Sequence, residues 1–350
     1  MKIFKSLTCL CAVLGLLVVL TGCPNSAIKQ EPQGMVYYTF FDTVSYIYSY
    51  ANDSEEDFEA NCDAVSDILE EYHRLFDIYY EHSGINNLKT INGNAGKDPV
   101  KVDKKLIDFL LEAKELYRIT NGEMNVMMGA VLSLWHDCRE AASKAPAAAT
   151  IPTRAALDEA ALHTDISLLE IDEQNLTVRI TDPKARIDVG AFGKGYATEK
   201  AAQHLIGVGV NGYVLNIGGN IRIVGHKPDG SGWGTGIKNP ADPTQYALKL
   251  TIADTSCVTS GDYERFYFVG NEKYHHVIDK DTLMPSAHFR SVSIITRNSG
   301  LADALSTALF AMSYEDGLTL VNEIGGVEVL WIKPDGTQLY TAGLAALIME

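Results

Sequence analysis

Asp303 and Thr307 stand four residues apart in a segment whose apolar pattern predicts a helix. Four residues is about one helical turn, so a carboxylate and a hydroxyl share one face. That pair suits a hard cation such as Mg²⁺, completed by a backbone carbonyl, waters and phosphate oxygens. Asp303 equally suits the capping of a helix start. Residues 187–197 run from Ile187, Asp188 and Val189 into Gly190, Gly193 and Gly195, ahead of a predicted helix over 196–206. Glycines between a strand and a helix let backbone N–H groups approach an anion, and the helix start adds a favourable dipole. Asp188 at the predicted strand end and Lys194 inside the loop set opposite charges beside that backbone. The same stretch also reads as a packing turn. Its spacing is not the dinucleotide fingerprint.

Three further stretches carry chemistry. Asn216-Ile217-Gly218-Gly219-Asn220 is a second turn of close backbone approach, or a simple bend. Thr259-Ser260-Gly261-Asp262-Tyr263 offers hydroxyls and amides to a phosphate, or makes an ordinary turn. Tyr274-His275-His276-Val277-Ile278-Asp279 places two histidines on one predicted strand. Strand neighbours face opposite ways, so one is structural and the other is free to act as a general base.

These residues need a frame. Residues 35–50 read as strands broken near Phe41-Asp42-Thr43. Ser54 is placed to cap a long helix with Phe58, Cys62, Val65, Leu69, Tyr72 and Phe76 on its buried side. A second helix carries Leu106, Phe109, Leu110, Ala113, Leu116 and Tyr117, and stops at Asn121-Gly122. The polar stretch 79–98 between them reads as a loop. Met124, Met127 and Met128 suit either a flat ring or the core. Residues 141–152, rich in alanine and proline, read as an exposed insertion or linker. A hairpin over 168–181, several later strands and two late helices complete an α+β pattern.

The N-terminus predicts the compartment. Lys2 and Lys5 precede an apolar run over 7–20, shorter than a membrane span, ending in Leu20-Thr21-Gly22-Cys23. This is the pattern of a bacterial lipoprotein signal over 1–22, with Cys23 bearing lipid, a tether over 23–34 and an exported domain over 35–350. Cys62, Cys138 and Cys257 then remain, with neither disulfide nor metal spacing, and read as small buried residues. With 46% hydrophobic residues in 350, the chain can build a large core. A net charge of −16 argues against nucleic acid as a partner, and a phosphate ligand would need local dipoles and a cation.

In their order and spacing, the stretches 187–197, 216–220, 259–263, 275–279 and 302–310 resemble the ApbE family of FAD:protein FMN transferases. The resemblance extends through 41–43, 76–79 and 122–135. It implies a core related to the T-fold, with an FAD site between that core and a smaller helical part. It implies a Mg²⁺-dependent (or Mn²⁺-dependent) enzyme that cleaves FAD, attaches FMN to a threonine or serine of an acceptor flavoprotein and releases AMP. By the same resemblance, Asp188, Lys194 and Ile278 contact the flavin nucleotide, and Phe41, Tyr79, Glu123, Met124 and Asn125 make further contacts. The carbonyl of Ala191, Asp303 and Thr307 fall at the metal position, and His276 at the catalytic histidine. An FAD pyrophosphatase using water, or a non-catalytic FAD-binding lipoprotein, would share much of this set. The chain departs from the family in three places. Phe41-Asp42-Thr43 replaces Met-Gly-Thr, Asn125 stands where an aspartate is frequent, and the turn after Asp279 lacks its proline and glycine.

Overall fold

The computed structural model describes residues 32–51 and 53–349, so the predicted signal and Cys23 lie outside the described residues. Strands β1 (Gln33–Tyr37) and β2 (Ser45–Ser49) flank the predicted break, and β1 begins within the stretch expected as tether. In α1 (Glu55–Phe76) the Ser54 Oγ accepts the Asp57 N–H at 3.1 Å, and the predicted apolar positions are buried. The 79–98 stretch is not all loop. It holds α2 (Leu88–Gly93), a helix too short to show a period, closed by a reciprocal capping box between Asn87 and Thr90. Then come β3 (Val100–Lys101), α3 (Lys104–Ile119) and α4 (Gly129–Lys144). Asn121 and Gly122, both at positive φ, end α3 as expected.

Residues 141–152 are largely exposed, as expected, but they are not structureless. Their alanines finish α4, a 3₁₀ turn follows, and Ala142 and Pro152 are buried as the chain returns through α5 (Arg154–Ala161). The hairpin of β4 (Leu169–Asp172) and β5 (Thr177–Ile180) pairs with β3. The strand expected at 187–189 is absent. Ile187 exchanges backbone hydrogen bonds with the Asn92 side chain at 2.8 and 2.9 Å, and the Asp188 N–H donates to the Val126 carbonyl at 2.8 Å. With those partners the segment needs no neighbouring strand. Helix α6 (Gly193–Gly207) accordingly starts three residues before the predicted Tyr196.

The later chain runs β6 (Tyr213–Ile217), β7 (Asn220–Val224), β8 (Trp233–Asn239), β9 (Asp242–Ile252) and β10 (Ser256–Gly261). After these come β11 (Phe266–Val269), β12 (Glu272–His275), β13 (Ser291–Thr296), α7 (Ser299–Ala311) and α8 (Tyr314–Ile324), then β14 (Glu328–Ile332) and β15 (Gln338–Tyr340). Eight strands form one antiparallel sheet in the order β1-β2-β6-β7-β10-β13-β14-β15. Its strand β13, flanked by β10 and β14, is buried at every position. Val292 and Ile294 pack with Leu305, Leu309 and Phe310 of α7, whereas Ile295 packs with Trp233 and Leu250 of the β8–β9 ribbon. Burying each such side chain is worth about 1.5–3 kcal/mol. The α+β expectation holds.

Helices α6 and α7 meet at very short range. A Cβ on Gly195 would lie 2.3 Å from the Ser299 carbonyl oxygen and 2.4 Å from the Asp303 Cβ. Only glycine fits. The buried Glu199 ties three elements together: it pairs with Arg222 of β7 at 3.2 Å and accepts the first N–H of α7, from Ser299, at 2.8 Å.

Candidate active site

The α6–α7 crossing makes the interior of the site. The Asp303 carboxylate is 5% exposed, and its Oδ2 accepts the Gly195 N–H at 2.8 Å. It has no ion pair within 4 Å among the described residues. Burial pushes its pKa above the usual carboxylate range, while Lys194, the Gly195 amide and Asn220 pull it back. Lys194 Nζ lies 3.5 Å from the Asn220 Oδ1, so three predicted stretches (187–197, 216–220 and 302–310) meet here. Asn220 itself is almost wholly buried, its Nδ2 faces the Asp303 carboxylate without a close hydrogen bond among the described residues, and only its stretch was singled out from sequence. Thr307 lies one turn on from Asp303, half-buried, with no hydrogen bond to its hydroxyl among the described residues. Ala191 is half-buried just ahead of α6.

This donor set fits a hard cation. Among the described residues it supplies one buried carboxylate with no short ion pair and one hydroxyl without a hydrogen bond a turn away, and Mg²⁺ is ordinarily held by one or two carboxylates with substrate phosphates and water. No cluster of three or more His, Cys, Asp or Glu side chains is present among the described residues, as a zinc-type site would require.

The two glycine-bearing turns divide the remaining work. Asp188 Oδ1 accepts the Gly190 N–H at 2.8 Å, and burial raises its pKa against that bond and against Arg265, His136 and Arg139. Gly218, at φ +55, packs against Thr43, where a Cβ would approach the hydroxyl to 2.4 Å. This seats the 41–43 turn on the end of β6. Phe41 and Asp42 both adopt left-handed φ (52° and 54°), a conformation that glycine takes most readily and aspartate more readily than most side chains. The Phe41 N–H is held by His73 Nδ1 at 3.2 Å.

The histidines divide as their spacing requires. His275 is buried; its Nε2–H donates to the Ser286 carbonyl at 2.9 Å, its Nδ1 accepts the Val277 N–H at 3.3 Å, and its ring packs on Phe310. Both nitrogens are engaged. His276, one residue past β12, has one protein partner among the described residues, the Arg265 carbonyl, 3.2 Å from Nδ1. A carbonyl only accepts, so Nδ1 carries the proton and Nε2 is left as a bare acceptor. Burial, then Arg265, His275 and Arg139, push the His276 pKa down to about 3.

Tyr79 sits beside Asp188, and its ring packs on His136 at 5.4 Å. His136 in turn accepts from Arg139 Nη2 at 3.0 Å. His136, Arg139 and Arg265 belong to the cluster yet were missed from sequence: two lie mid-helix and one in a turn, with no motif spacing. Glu123 pairs with Lys280 at 3.3 Å. Met124 is 1% exposed and fills the core with Met127 and Met128, so the core use of the methionines prevails. The Asn125 amide is engaged with the Thr164 carbonyl and the Met127 N–H, both at 2.9 Å. Ile278 bridges to Pro285 and packs near Trp135. In the turn after Asp279, Leu283 stands at φ 61°, buried and held through its carbonyl by the Trp135 indole N–H at 3.0 Å. Thr259 and Ser260 lie on β10 rather than in a turn. Their hydroxyls meet those of Ser293 and Ser306, both at 2.7 Å.

Two cavities, of about 510 and 440 Å³, lie beside this cluster rather than in it. The first is lined by Glu123, Asp279, Lys280 and Asp316 and the second by Asp262, Lys273, His275 and Arg290. Neither reaches Asp188, Lys194 or Asp303. Cys62 and Cys257 are buried and Cys138 half-buried, all three free, with burial pushing the first two thiols up to about 12.

Comparison with known proteins accounts for the arrangement. Residues 41–331 match the model of the ApbE family. A FAD:protein FMN transferase of Treponema pallidum is 32% identical over 272 residues, covering 73% of each chain. One from Vibrio cholerae is 27% identical over 333 residues, covering 94% of this chain and 95% of its own. The fold matches the solved ApbE protein of Thermotoga maritima with a TM-score of 0.79 at 24% identity, over 91% of this chain and 100% of the other. The flavin transferase ApbE of Vibrio cholerae matches with a TM-score of 0.74 at 23% identity, with the same coverage. The chain belongs to the ApbE family.

Proposed function

We propose that this chain moves FMN from FAD to a threonine or serine hydroxyl of an acceptor flavoprotein, releasing AMP. The observation that carries the reading is the buried Asp303 at the α6–α7 crossing, one turn from an unengaged Thr307 hydroxyl, in a family whose curated relatives are FAD:protein FMN transferases. Asp303, Thr307 and the Ala191 carbonyl would hold Mg²⁺, or Mn²⁺ in its place. Such a cation, when bound, neutralises charge on the pyrophosphate as it is cleaved.

The chain's own residues do the rest. Lys194 adds positive charge beside Asp303. Asp188, Ile278, Tyr79 and Phe41 contact the flavin nucleotide, with Glu123 and Asn125 beside them. Met124 is too buried to contribute more than its backbone. His276 Nε2, the bare ring nitrogen, accepts the acceptor's hydroxyl proton. The acceptor oxygen then bonds to the FMN phosphorus as the bridging P–O bond breaks, and the electron pair leaves on AMP.

Lys2, Lys5, the apolar run and Leu20-Thr21-Gly22-Cys23 support export with a lipid anchor on Cys23, placing the enzyme at a membrane beside redox acceptors. No described helix is long and apolar enough to cross a membrane. The mass of the N-terminal peptide tests the anchor, since an unmodified Cys23 in membrane-isolated protein would refute it.

The decisive assay mixes residues 24–350 with FAD, Mg²⁺ and a threonine-bearing acceptor domain. AMP release with in-gel flavin fluorescence on the acceptor is expected, and Asp303→Asn should lower it at least about 10²-fold. AMP and free FMN without labelling would make the protein a hydrolase. FAD bound but uncleaved would make it a carrier.

A further inference from the structure

We propose that Arg139 and Arg265 form a two-guanidinium clamp for the phosphate oxygens of the dinucleotide, an inference that rests on the FAD reading above. Arg139 comes from α4 and Arg265 from the turn before β11; α4 packs against β11, with Trp135 and Tyr267 in one apolar cluster, which brings these two segments together from opposite halves of the chain. Arg139 is fixed by its bond to His136, whose ring packs on Tyr79. Arg265 is fixed at its backbone, where its carbonyl orients His276.

Neither guanidinium has a carboxylate within 4 Å among the described residues, in a chain with 45 acidic residues against 29 basic ones. Asp188, the acid they share, directs one oxygen to its own loop at Gly190. Holding two cations together without a close counter-ion costs free energy that an incoming anion recovers. A chain of net charge −16 repels a phosphate ligand overall, so capture requires local cations. Planar guanidinium forks match phosphate oxygens, and two of them match a pyrophosphate better than a single ammonium does. The electrostatics agree: both arginines act on Asp188, Tyr79 and His276, the residues nearest the proposed chemistry. Lys194 and Asp303 form a separate centre at the helix crossing, so the two centres would hold the substrate from two sides.

The test measures binding without turnover. Isothermal titration in EDTA compares FAD with riboflavin, which carries no phosphate, for the wild type, Arg139→Gln, Arg265→Gln and the two lysine variants. Each glutamine variant should weaken FAD about tenfold or more and leave riboflavin within about twofold. The lysine variants, keeping charge but losing the fork, should fall between. Raising salt should weaken FAD binding less in the glutamine variants than in the wild type. Equal weakening of both flavins would overturn the clamp in favour of a structural or ring contact. Unchanged FAD binding with a raised KM for the acceptor would overturn it in favour of protein docking. A wild type that binds no FAD would overturn the functional reading itself, and the clamp with it. Thermal melts show that the variants are folded. Should a glutamine variant fail there, its lysine partner decides the comparison.

Discussion

The α6–α7 crossing and the rim made by α4, the 188 loop and the β11–β12 hairpin build one site by opposite means. At the crossing, backbone meets side chain at contact distance. Gly195 admits Asp303, Glu199 binds both Arg222 and the start of α7, and small residues fill the rest. At the rim, long side chains (Tyr79, His136, Arg139, Arg265) reach toward one another from distant segments, and several remain partly exposed. Position at the crossing is therefore inseparable from folding, whereas the rim can be altered with little effect on it. Variants at the crossing should cost stability, and variants at the rim should change binding and chemistry alone.

The sharpest separation comes from Glu199→Ala. It removes the carboxylate from a buried pair, leaving Arg222 with only the partly exposed Asp254 at 3.4 Å and a backbone carbonyl, and it uncaps the first N–H of α7. A cost of about 3–5 kcal/mol is expected, read from chemical denaturation monitored at the buried tryptophans. A cost below 1 kcal/mol would mean that the crossing is not held as described. Gly195→Ala comes next. Its methyl would press on the Ser299 carbonyl and the Asp303 Cβ, both backbone-anchored, so about 1–3 kcal/mol should be lost as the helices separate. Cation binding should weaken with it. A stable Gly195→Ala protein with unchanged metal affinity would break the link between close packing and the site.

The same contrast explains what the sequence revealed. The crossing is legible in part: the glycines, the Asp303–Thr307 spacing and the Asn216–Asn220 turn are local patterns, each with a plainer reading as a cap or a bend, and only their order and spacing together, resembling the ApbE family, single them out. The long helices are legible on their own: α1 and α3 declare themselves through period and caps. Reading fails where partners are remote. The strand expected at 187–189 is replaced by bonds to Asn92 and Val126, which nothing in the segment announces. Residues 141–152 have a linker's composition and stay largely exposed, yet they finish α4 and form a 3₁₀ turn that the composition does not announce. Arg139 and Arg265 gain their meaning only when α4 and the β11–β12 hairpin come together. Leu283 shows the converse, since the family's turn glycine is missing and the turn forms nonetheless, the backbone strain offset by a buried side chain and the Trp135 bond.

The smallest effect is the most specific to the rim, and it concerns a proton. Burial first, and then the positive charges of Arg265, His275 and Arg139, push the His276 pKa from 6.5 down to about 3, against the Nδ1 bond to the Arg265 carbonyl, which favours the protonated ring. A histidine whose folded value is depressed contributes stability above 6.5 and loses it as pH falls from 6.5 toward 3, because the unfolded chain then binds the extra proton. In the native protein the ring should therefore remain neutral, in the Nδ1–H form, well below pH 6.5. Nitrogen-15 NMR of labelled histidine reads this directly. Rate profiles would mix it with the titration of Asp188 and Asp303, both of which burial shifts upward. Arg265→Gln should move the His276 midpoint up toward 6.5, with little change in global stability. A midpoint near 6.5 in the wild type, or one that ignores Arg265→Gln, would show that the rim does not set this imidazole's charge. The base would then have to be tuned from the crossing, and the division between the two regions would fail.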